Sequence, residues 1–426
     1  MSTTATLSSV ETASVTPAAL PPPGQPDIAY APDREKWQAR VARRLAQGGL
    51  TKSLPEGFPQ QLEGDLVWEG QTLAEKYAWT YVLSEAQLAE IDAAVEHFKS
   101  LNLTSGHVSS KTFPLPTLHA ELRRLSRELH RGHGFFVLRG LQPDKYSRAD
   151  NVLIYTGISS HIADKRGRQD HKFNGAPADV VLTHIKDLSE KKSPGSGNSN
   201  SSTVIGSPAY TTDRQVFHTD SGDIVSLFAL ETALHGGASK LASTWRVYNE
   251  IARTRPDLIH TLAENWDVEV FDHVAGKEWS TRPLVFHQPA SPSTPERVIL
   301  QYARRYFVGF GALPRSHNIP PITEAQAEAL DTLHFLGEKF CVNTSFEKGD
   351  IQYVNNLAVF HARDGFVDGE GKHRHLLRLW LRDSENAWPT PEVLQPRWEQ
   401  LYDGVTPEAS VLPLEPYIRS ASNKAR

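Results

Sequence analysis

Cysteine is almost absent from the 426-residue chain, which contains a single one, Cys341. One thiol excludes a disulfide framework and a zinc site built on cysteines. Apolar runs are short, far below the roughly 20 residues that cross a bilayer. No basic stripe typical of nucleic-acid binding is present, and the formal net charge is −5. We therefore expect a cytoplasmic protein whose partner is a small-molecule substrate, with no nucleic acid and no membrane, and we leave a homo-oligomer open.

The N-terminal stretch has neither the basic n-region nor the apolar h-region of a secretory signal. It contains no arginine, and its acidic Glu11 argues against a transit peptide. Serine, threonine, alanine and proline dominate it, and Pro21–Pro23 form a proline run. We predict a disordered leader over residues 1–27.

Helical and strand patterns divide the remainder of the chain. Ser84 with Gln87, and Thr323 with Gln326, have the spacing of a capping box before an apolar helical pattern. From residue 209 onward, short runs separated by turn residues predict strands, and one of them is "RVILQYARRYFVGFG" at 297–311. We predict a mainly β fold with flanking helices, of the sandwich or jelly-roll kind. The predicted divisions are a helical N-terminal extension at 28–110, a β domain at 111–390, and a C-terminal tail at 391–426 packing on or beside that domain.

The long connection at 168–212 contains a stretch rich in glycine, serine and asparagine, residues 192–202. Such a composition cannot bury apolar surface. The stretch is therefore either a surface linker or a lid over a site. The lid alternative is considered because the stretch closely precedes His218 in the sequence.

A histidine and an aspartate stand two residues apart in "FHTDSGDIVSLFAL", at His218 and Asp220. They end a strand-like stretch, where residues i and i+2 face the same side, so one metal ion could bind both. A second such pair, His119 and Glu121, falls in a helical pattern, where side chains two apart point roughly 200° apart. Only the first pair is a candidate metal site.

Two ligands do not hold an iron ion, and His361 in "VNNLAVFHARDGF" is the candidate for the third. Two histidines and one carboxylate are the typical set of a mononuclear Fe(II) site. A lone histidine at the end of a strand is otherwise a satisfied core or loop residue, and that alternative stays open on this residue alone.

An arginine row follows in "RHLLRLWLRD". On a strand, Arg374, Arg378 and Arg382 share one side because they are four residues apart, and the other side carries Leu377, Leu379 and Leu381. Arginines facing a barrel interior need anionic partners, and a dicarboxylate would supply them. Three solvent-facing arginines on an edge strand are the alternative.

Taken together and in this order, four motifs resemble the taurine dioxygenase (TauD/TfdA-like) family of Fe(II)/2-oxoglutarate-dependent dioxygenases, within the clavaminate-synthase-like superfamily. The resemblance covers about residues 130–385, and its motifs are "HTD" at 218–220, "HGGAS" at 235–239, "EKGDIQYVNNLAVFH" at 347–361 and "RHLLRLWLRD" at 374–383.

The resemblance implies a double-stranded β-helix fold and a set of site residues. His218, Asp220 and His361 would be the catalytic iron ligands. Arg374 and Ser239 would bind the far carboxylate of 2-oxoglutarate. Arg378 matches a second arginine that holds either this cosubstrate or an acidic substrate, and the "DGEGK" insert leaves open which arginine takes which.

The implied reaction oxidises an unactivated C–H bond of a small acidic, amino-acid-like substrate with Fe(II), 2-oxoglutarate and O2, and it gives succinate and CO2. Hydroxylation, desaturation and cyclisation share the iron site. Two other functions use the same residues: a non-catalytic jelly-roll binding protein, and a zinc hydrolase with the same three ligands.

Overall fold

The structure is a computed structural model that describes residues 20–189, 205–271, 277–292, 294–311 and 313–422. Residues 1–19 of the predicted leader and the whole stretch 192–202 lie outside them. The described helices are α1 (Arg34–Gln47), α2 (Gly70–Lys76), α3 (Glu85–Ser100), α4 (Leu118–Arg131), α5 (Arg148–Ile162), α6 (Thr244–Thr254), α7 (Pro256–Ala263), α8 (Arg305–Val308), α9 (Glu324–Phe340) and α10 (Gln395–Tyr402).

Two β-sheets lie at the centre. The described strands are β1 (Thr80–Val82), β2 (Phe135–Arg139), β3 (Lys165–Arg166), β4 (Asp170–Phe173), β5 (Ala176–Val180), β6 (Leu182–Lys186), β7 (Gln215–His218), β8 (Ile224–Glu231), β9 (His235–Gly236), β10 (Ser239–Ser243), β11 (Trp266–Glu269), β12 (Trp279–Arg282), β13 (Val285–Gln288), β14 (Arg297–Leu300), β15 (Val342–Asn343), β16 (Ile351–Asn355), β17 (Val359–Arg363), β18 (Phe366–Val367), β19 (His375–Arg382) and β20 (Ser410–Val411). Among them, a seven-stranded mixed sheet has the order β1-β2-β16-β8-β19-β3, with β6 also paired to β19. A four-stranded sheet has the order β15-β10-β17-β7.

Helices pack on the outer sides of both sheets. The apolar faces of α3, α4 and α5 share one buried cluster with the leucines of β19, namely Leu377, Leu379 and Leu381. The helices α6, α7 and α9 share the other large cluster with β10 and β17. The side of β19 that carries Trp380 belongs to this second cluster, so it faces the interior between the sheets. The chemistry described below lies in that interior.

The N-terminal residues pack against the rest of the chain. The buried Arg40 of α1 forms ion pairs with Asp331 at 2.6 Å and with Glu324 at 2.9 Å, both in α9. Strand β1 pairs in parallel with β2 and forms the edge of the large sheet. The capping boxes predicted before α3 and α9 are both present.

The structure differs from the sequence prediction in three segments. Helix α5 has no predicted counterpart, because nearly all its residues are buried and it lacks a polar face. The connection at 168–212 contains strands β4, β5 and β6 instead of being a plain loop. The stretch 297–311 is β14 followed by α8 instead of one strand, because Tyr306 and Phe307 pack as a helical turn against Phe271 and Trp266.

Among the described helices, none combines the length and the apolar character that a bilayer crossing requires.

Candidate active site

The predicted ligands His218 and His361 lie opposite each other on neighbouring antiparallel strands. His218 ends β7, His361 lies in β17, and their Cα atoms are register partners. Their ring centroids are 4.1 Å apart. One ligand atom from each of His218, Asp220 and His361 lies within 4.8 Å of the other two. The strand pairing therefore brings the three predicted ligands together.

The ring nitrogens of the two histidines have different surroundings. The Nδ1–H of His218 donates to the carbonyl oxygen of Val216 at 2.9 Å, and its Nε2 accepts from the Gln215 amide at 2.9 Å. Burial, reinforced by the neighbouring His218, lowers the pKa of His361 to about 3. The Nδ1 atom of His361 is buried with no hydrogen-bond partner among the described residues. Neutral imidazole is the form that binds a metal ion.

Asp220 is held as a carboxylate in a fixed orientation. Its Oδ2 accepts from Arg378 Nη1 at 2.8 Å and from the Trp380 indole N–H at 2.9 Å. Burial alone would raise the pKa of Asp220, but the Arg378 guanidinium and the neighbouring His218 hold that pKa well below its usual value. The other oxygen, Oδ1, lies 3.6 Å from Nε2 of His218. One oxygen thus anchors the side chain, and the other faces the histidines.

A buried asparagine fixes the backbone after the first histidine. Asn356, in the turn between β16 and β17, accepts the Asp220 backbone N–H at 2.7 Å and donates to the carbonyl oxygens of Asp220 and Gly222. Asn356 was not among the residues predicted from the sequence. The pattern that could have indicated it is the Asn355-Asn356 pair, whose second residue lies five positions before His361.

Arg374 lies directly before β19 and is buried. Its backbone N–H donates to Oδ1 of Asp368 at 2.9 Å, whereas its guanidinium forms no ion pair within 4 Å among the described residues. Its Nη1 has no hydrogen-bond partner in the same part of the chain. Burial lowers the pKa of Arg374 to about 9. A buried guanidinium without a counter-ion is costly, and an anionic ligand removes the cost.

The Gly236–Gly237 turn lies against this arginine. A Cβ placed on Gly237 would lie 3.2 Å from Nε of Arg374. The predicted Ser239 follows this turn, and its buried hydroxyl donates to Oε1 of Gln352 at 3.1 Å.

The predicted arginine row does face the interior, with the three leucines on the opposite side. Its members have different partners. Arg378 binds Asp220, whereas Arg382 binds Asp223 at 2.8 Å. Burial raises the pKa of Asp223 to about 6, against the effects of Arg382 and Trp398.

Sequence reasoning missed three other residues near the ligands. Trp380 could have been found, because it lies two residues after Arg378 on the same face of β19. Gln169 accepts from Arg378 Nε at 2.9 Å, and Arg419 lies over the Trp380 ring at 5.3 Å. Both come from segments whose sequences carry no signal for this position.

Two imidazoles and one carboxylate, converging on a common point, form a donor set typical of non-haem Fe(II) oxygenases. The residues present therefore fit a bound iron ion. The unpaired buried guanidinium of Arg374 likewise fits a dicarboxylate.

Comparison with known proteins places the chain in a family. Residues 98–380 match the taurine catabolism dioxygenase TauD, TfdA family, and the chain belongs to that family. It is an Fe(II)- and 2-oxoglutarate-dependent oxygenase that uses O2.

Two curated relatives align over most of their length. The "Taurine hydroxylase-like protein SAT17" of Stachybotrys chartarum is 37% identical over 348 residues, which cover 80% of this chain and 85% of that protein. The "FR-33289 synthase" of Streptomyces rubellomurinus is 27% identical over 351 residues, which cover 80% of this chain and 96% of that protein.

Among solved structures, an asparagine oxygenase in complex with Fe(II), 2S,3S-3-hydroxyasparagine and succinate is similar in fold. The TM-score is 0.55 at 15% identity, over 79% of this chain and 100% of that one.

Proposed function

We propose that this oxygenase oxidises a C–H bond of a small acidic substrate, with His218, Asp220 and His361 as ligands of the iron ion. The convergence of three ligand atoms within 4.8 Å of one another carries this proposal. In it, the two central sheets form a double-stranded β-helix, and residues 111–390 are the dioxygenase domain. Bound Fe(II) supplies the activation of O2 that is coupled to decarboxylation of 2-oxoglutarate to succinate and CO2.

The remaining residues bind and orient the two organic molecules. Arg374, whose Nη1 is free, pairs with the far carboxylate of 2-oxoglutarate, and Ser239 adds a hydroxyl near it. Arg378 orients Asp220 through Nη1, while its Nη2 is buried and unpaired among the described residues. That second nitrogen is free to donate to an acidic group of the substrate.

An acidic substrate is supported by charge and by a relative. Arg374 and Nη2 of Arg378 together offer more buried cationic donors than one dicarboxylate end requires. The Stachybotrys relative is named after taurine, which carries a sulfonate. A small amino-acid-like molecule with a carboxylate or sulfonate is consistent with both the buried cationic donors and the name of the relative.

Anaerobic titration tests the site. Purified protein is loaded with Fe(II) and then with 2-oxoglutarate, and we expect the visible charge-transfer band of the chelate. His361→Ala should abolish the band because one ligand is lost. The exposed His317 provides the matched control, and His317→Ala should keep it. Folded wild-type protein that binds Fe(II) but shows no band contradicts the proposal.

A screen then addresses the substrate. Taurine and other small carboxylates and sulfonates are added to the aerobic enzyme, and stimulation of succinate formation is measured against matched amines that lack the acid. We expect stimulation only by acids. Hydrolysis of an ester or amide with Zn(II) in place of Fe(II), without succinate formation, would favour the hydrolase alternative.

A further inference from the structure

The C-terminal segment 413–422 is tied to strands and loops around the site. The Ser420 N–H donates to Oδ2 of Asp170 at 2.8 Å, and the Ser422 carbonyl accepts from the Gly206 N–H at 3.0 Å. Arg305 Nη2 donates to the carbonyl oxygen of Ala421 at 2.9 Å. This segment lies beyond residues 98–380, which the family match covers.

The segment places Arg419 beside the iron ligands. Its guanidinium is 5.3 Å from the centre of the Trp380 ring, and that of Arg378 is 4.8 Å from the same centre. Both distances are within the range of a cation–π contact. The Trp380 indole N–H donates to Asp220, so a single ring separates Arg419 from a proposed iron ligand.

Gln169 holds the two guanidinium groups in place. Its side-chain Oε1 accepts from Arg378 Nε at 2.9 Å, and its backbone carbonyl accepts from Arg419 Nη1 at 3.2 Å. Gln169 Nε2 in turn donates to the carbonyl oxygens of Val181 and Arg378. The amide is thus oriented on both sides, and the arrangement of the two arginines is fixed.

The charges here are not balanced. Arg378 has Asp220 as its counter-ion, whereas the hydrogen-bond acceptors of Arg419 in the described part of the chain are the Tyr210 hydroxyl oxygen at 3.2 Å and the Gln169 backbone carbonyl oxygen at 3.2 Å. None of the described carboxylates lies within 4 Å of Arg419, and only 9% of its surface is exposed. Asp220 must serve Arg378 and a metal ion together. Burial opposes the charge of Arg419, and attraction to Asp220 is among the effects that hold its pKa above the ordinary value. Because the same carboxylate pairs with Arg378, an anionic ligand would balance the two buried cations.

We propose that Arg419 is a substrate-binding residue, which forms an oxyanion subsite together with Nη2 of Arg378 above Trp380. This inference rests on the proposed function, and it assigns the acidic head group of the substrate to a residue of the C-terminal segment. A carboxylate offers two coplanar oxygens and a sulfonate offers three, so two guanidinium groups can share either head group.

Binding of two matched probes tests the subsite. Taurine and β-alanine share one skeleton and differ in the head group, sulfonate or carboxylate. Each is titrated anaerobically into the Fe(II) and 2-oxoglutarate complex, and its binding is followed as a perturbation of the visible band. We expect Arg419→Gln to raise the Kd of the preferred probe about tenfold to a hundredfold, since one charge-assisted interaction is lost. Arg419→Lys should recover part of that affinity.

The control is Arg127→Gln, which removes the same charge from an exposed position of α4. It should leave the Kd of both probes unchanged, and none of the three variants should change the Kd of 2-oxoglutarate. If the visible band is intact and the probe Kd is the same in Arg419→Gln as in the wild type, this inference is wrong and the proposed function still stands. Wild-type enzyme that binds neither probe overturns it as well. Loss of the band in the wild type contradicts the proposed function instead.

Discussion

Asp220 uses its two carboxylate oxygens for different contacts. Oδ2 accepts from Arg378 and Trp380, and Oδ1 faces His218. Because both neighbours lie on β19, the carboxylate is anchored to the large sheet, although its own backbone follows β7 of the small one. Partners of this kind orient a ligand and change the affinity for the metal when removed. In the proposed site, Arg378 would therefore orient the metal ligand Asp220 in addition to binding an anion.

This difference separates the two arginines experimentally. We expect Arg374→Gln to raise the Kd of 2-oxoglutarate about tenfold to a hundredfold and to leave the Kd of Fe(II) unchanged, since only the guanidinium without a counter-ion is lost. Arg378→Gln should raise the Kd of Fe(II), because Asp220 loses its ion pair. Titration with Fe(II), followed by titration of the visible band with 2-oxoglutarate, gives both constants.

The third arginine of the row is the control for this pair. Arg382 binds Asp223, so Arg382→Gln should change neither constant. The two roles are reversed if Arg378→Gln raises the Kd of 2-oxoglutarate but not that of Fe(II), while Arg374→Gln leaves the Kd of 2-oxoglutarate unchanged.

Among the secondary-structure elements, the turn between β9 and β10 lies against Arg374, the arginine that we propose binds 2-oxoglutarate. Gly237 has φ +72°, and a Cβ there would lie 3.2 Å from the Arg374 side chain. Gly371 is a matched control with φ +78° and nothing within 4 Å of its Cβ position. Each alanine adopts a left-handed conformation that costs about 1–2 kcal/mol.

We predict that Gly237→Ala and Gly371→Ala lower the free energy of unfolding by similar amounts, measured in urea. Only Gly237→Ala should also raise the Kd of 2-oxoglutarate, because the added methyl group displaces the Arg374 side chain. Equal Kd values for 2-oxoglutarate in both variants would show that the turn does not position the arginine.

The parts of the site that could be predicted from the sequence are those set by local strand patterns. Alternation along β19 and the residue before it was sufficient to place Arg374 and Arg378 on one shared side, but it left open whether that side faces the interior or solvent. The spacing of His218 and Asp220 at a strand end placed both on one side. Both patterns depend on neighbours in sequence. Arg419 depends on the path of the C-terminal segment across two other strands, and no local period encodes that path. Helix α5 was missed for a related reason, since burial on all sides removes its amphipathic pattern.

For the whole molecule, segments from both ends of the described chain meet near α8. Arg304 donates to the Ala29 carbonyl at 2.8 Å, and the adjacent Arg305 donates to that of Ala421. Tyr30 packs edge-on against Phe310, with centroids 4.9 Å apart. Ala29, Tyr30 and Ala421, which lie outside the residues that the family match covers, therefore pack against the segment around α8.

A second long-range contact concerns stability. His184 of β6 and His375 of β19 are buried, with His184 Nδ1 2.7 Å from His375 Nε2. The Nε2–H of His184 donates to the Pro413 carbonyl at 2.8 Å, so its Nδ1 accepts the Nε2–H of His375. Burial lowers the pKa of both histidines below the ordinary value. The pair joins two strands and the C-terminal segment only while both rings are neutral.

The sign of the pH dependence follows from that requirement. In the unfolded chain each histidine takes up a proton below its ordinary pKa of about 6.5, whereas the folded pair stays neutral. The contribution to stability is complete above that pH and falls as the pH decreases, by up to about 1.4 kcal/mol per pH unit for each histidine.

Urea unfolding of the metal-free protein between about pH 7.5 and pH 5 measures how steeply the free energy of unfolding depends on pH. His375→Gln keeps a donor but cannot titrate, so we expect a shallower slope by about one histidine. His317→Gln, at an exposed position, should retain the wild-type slope. An unchanged slope in His375→Gln would mean that the pair does not couple pH to folding, and that other buried histidines carry the effect.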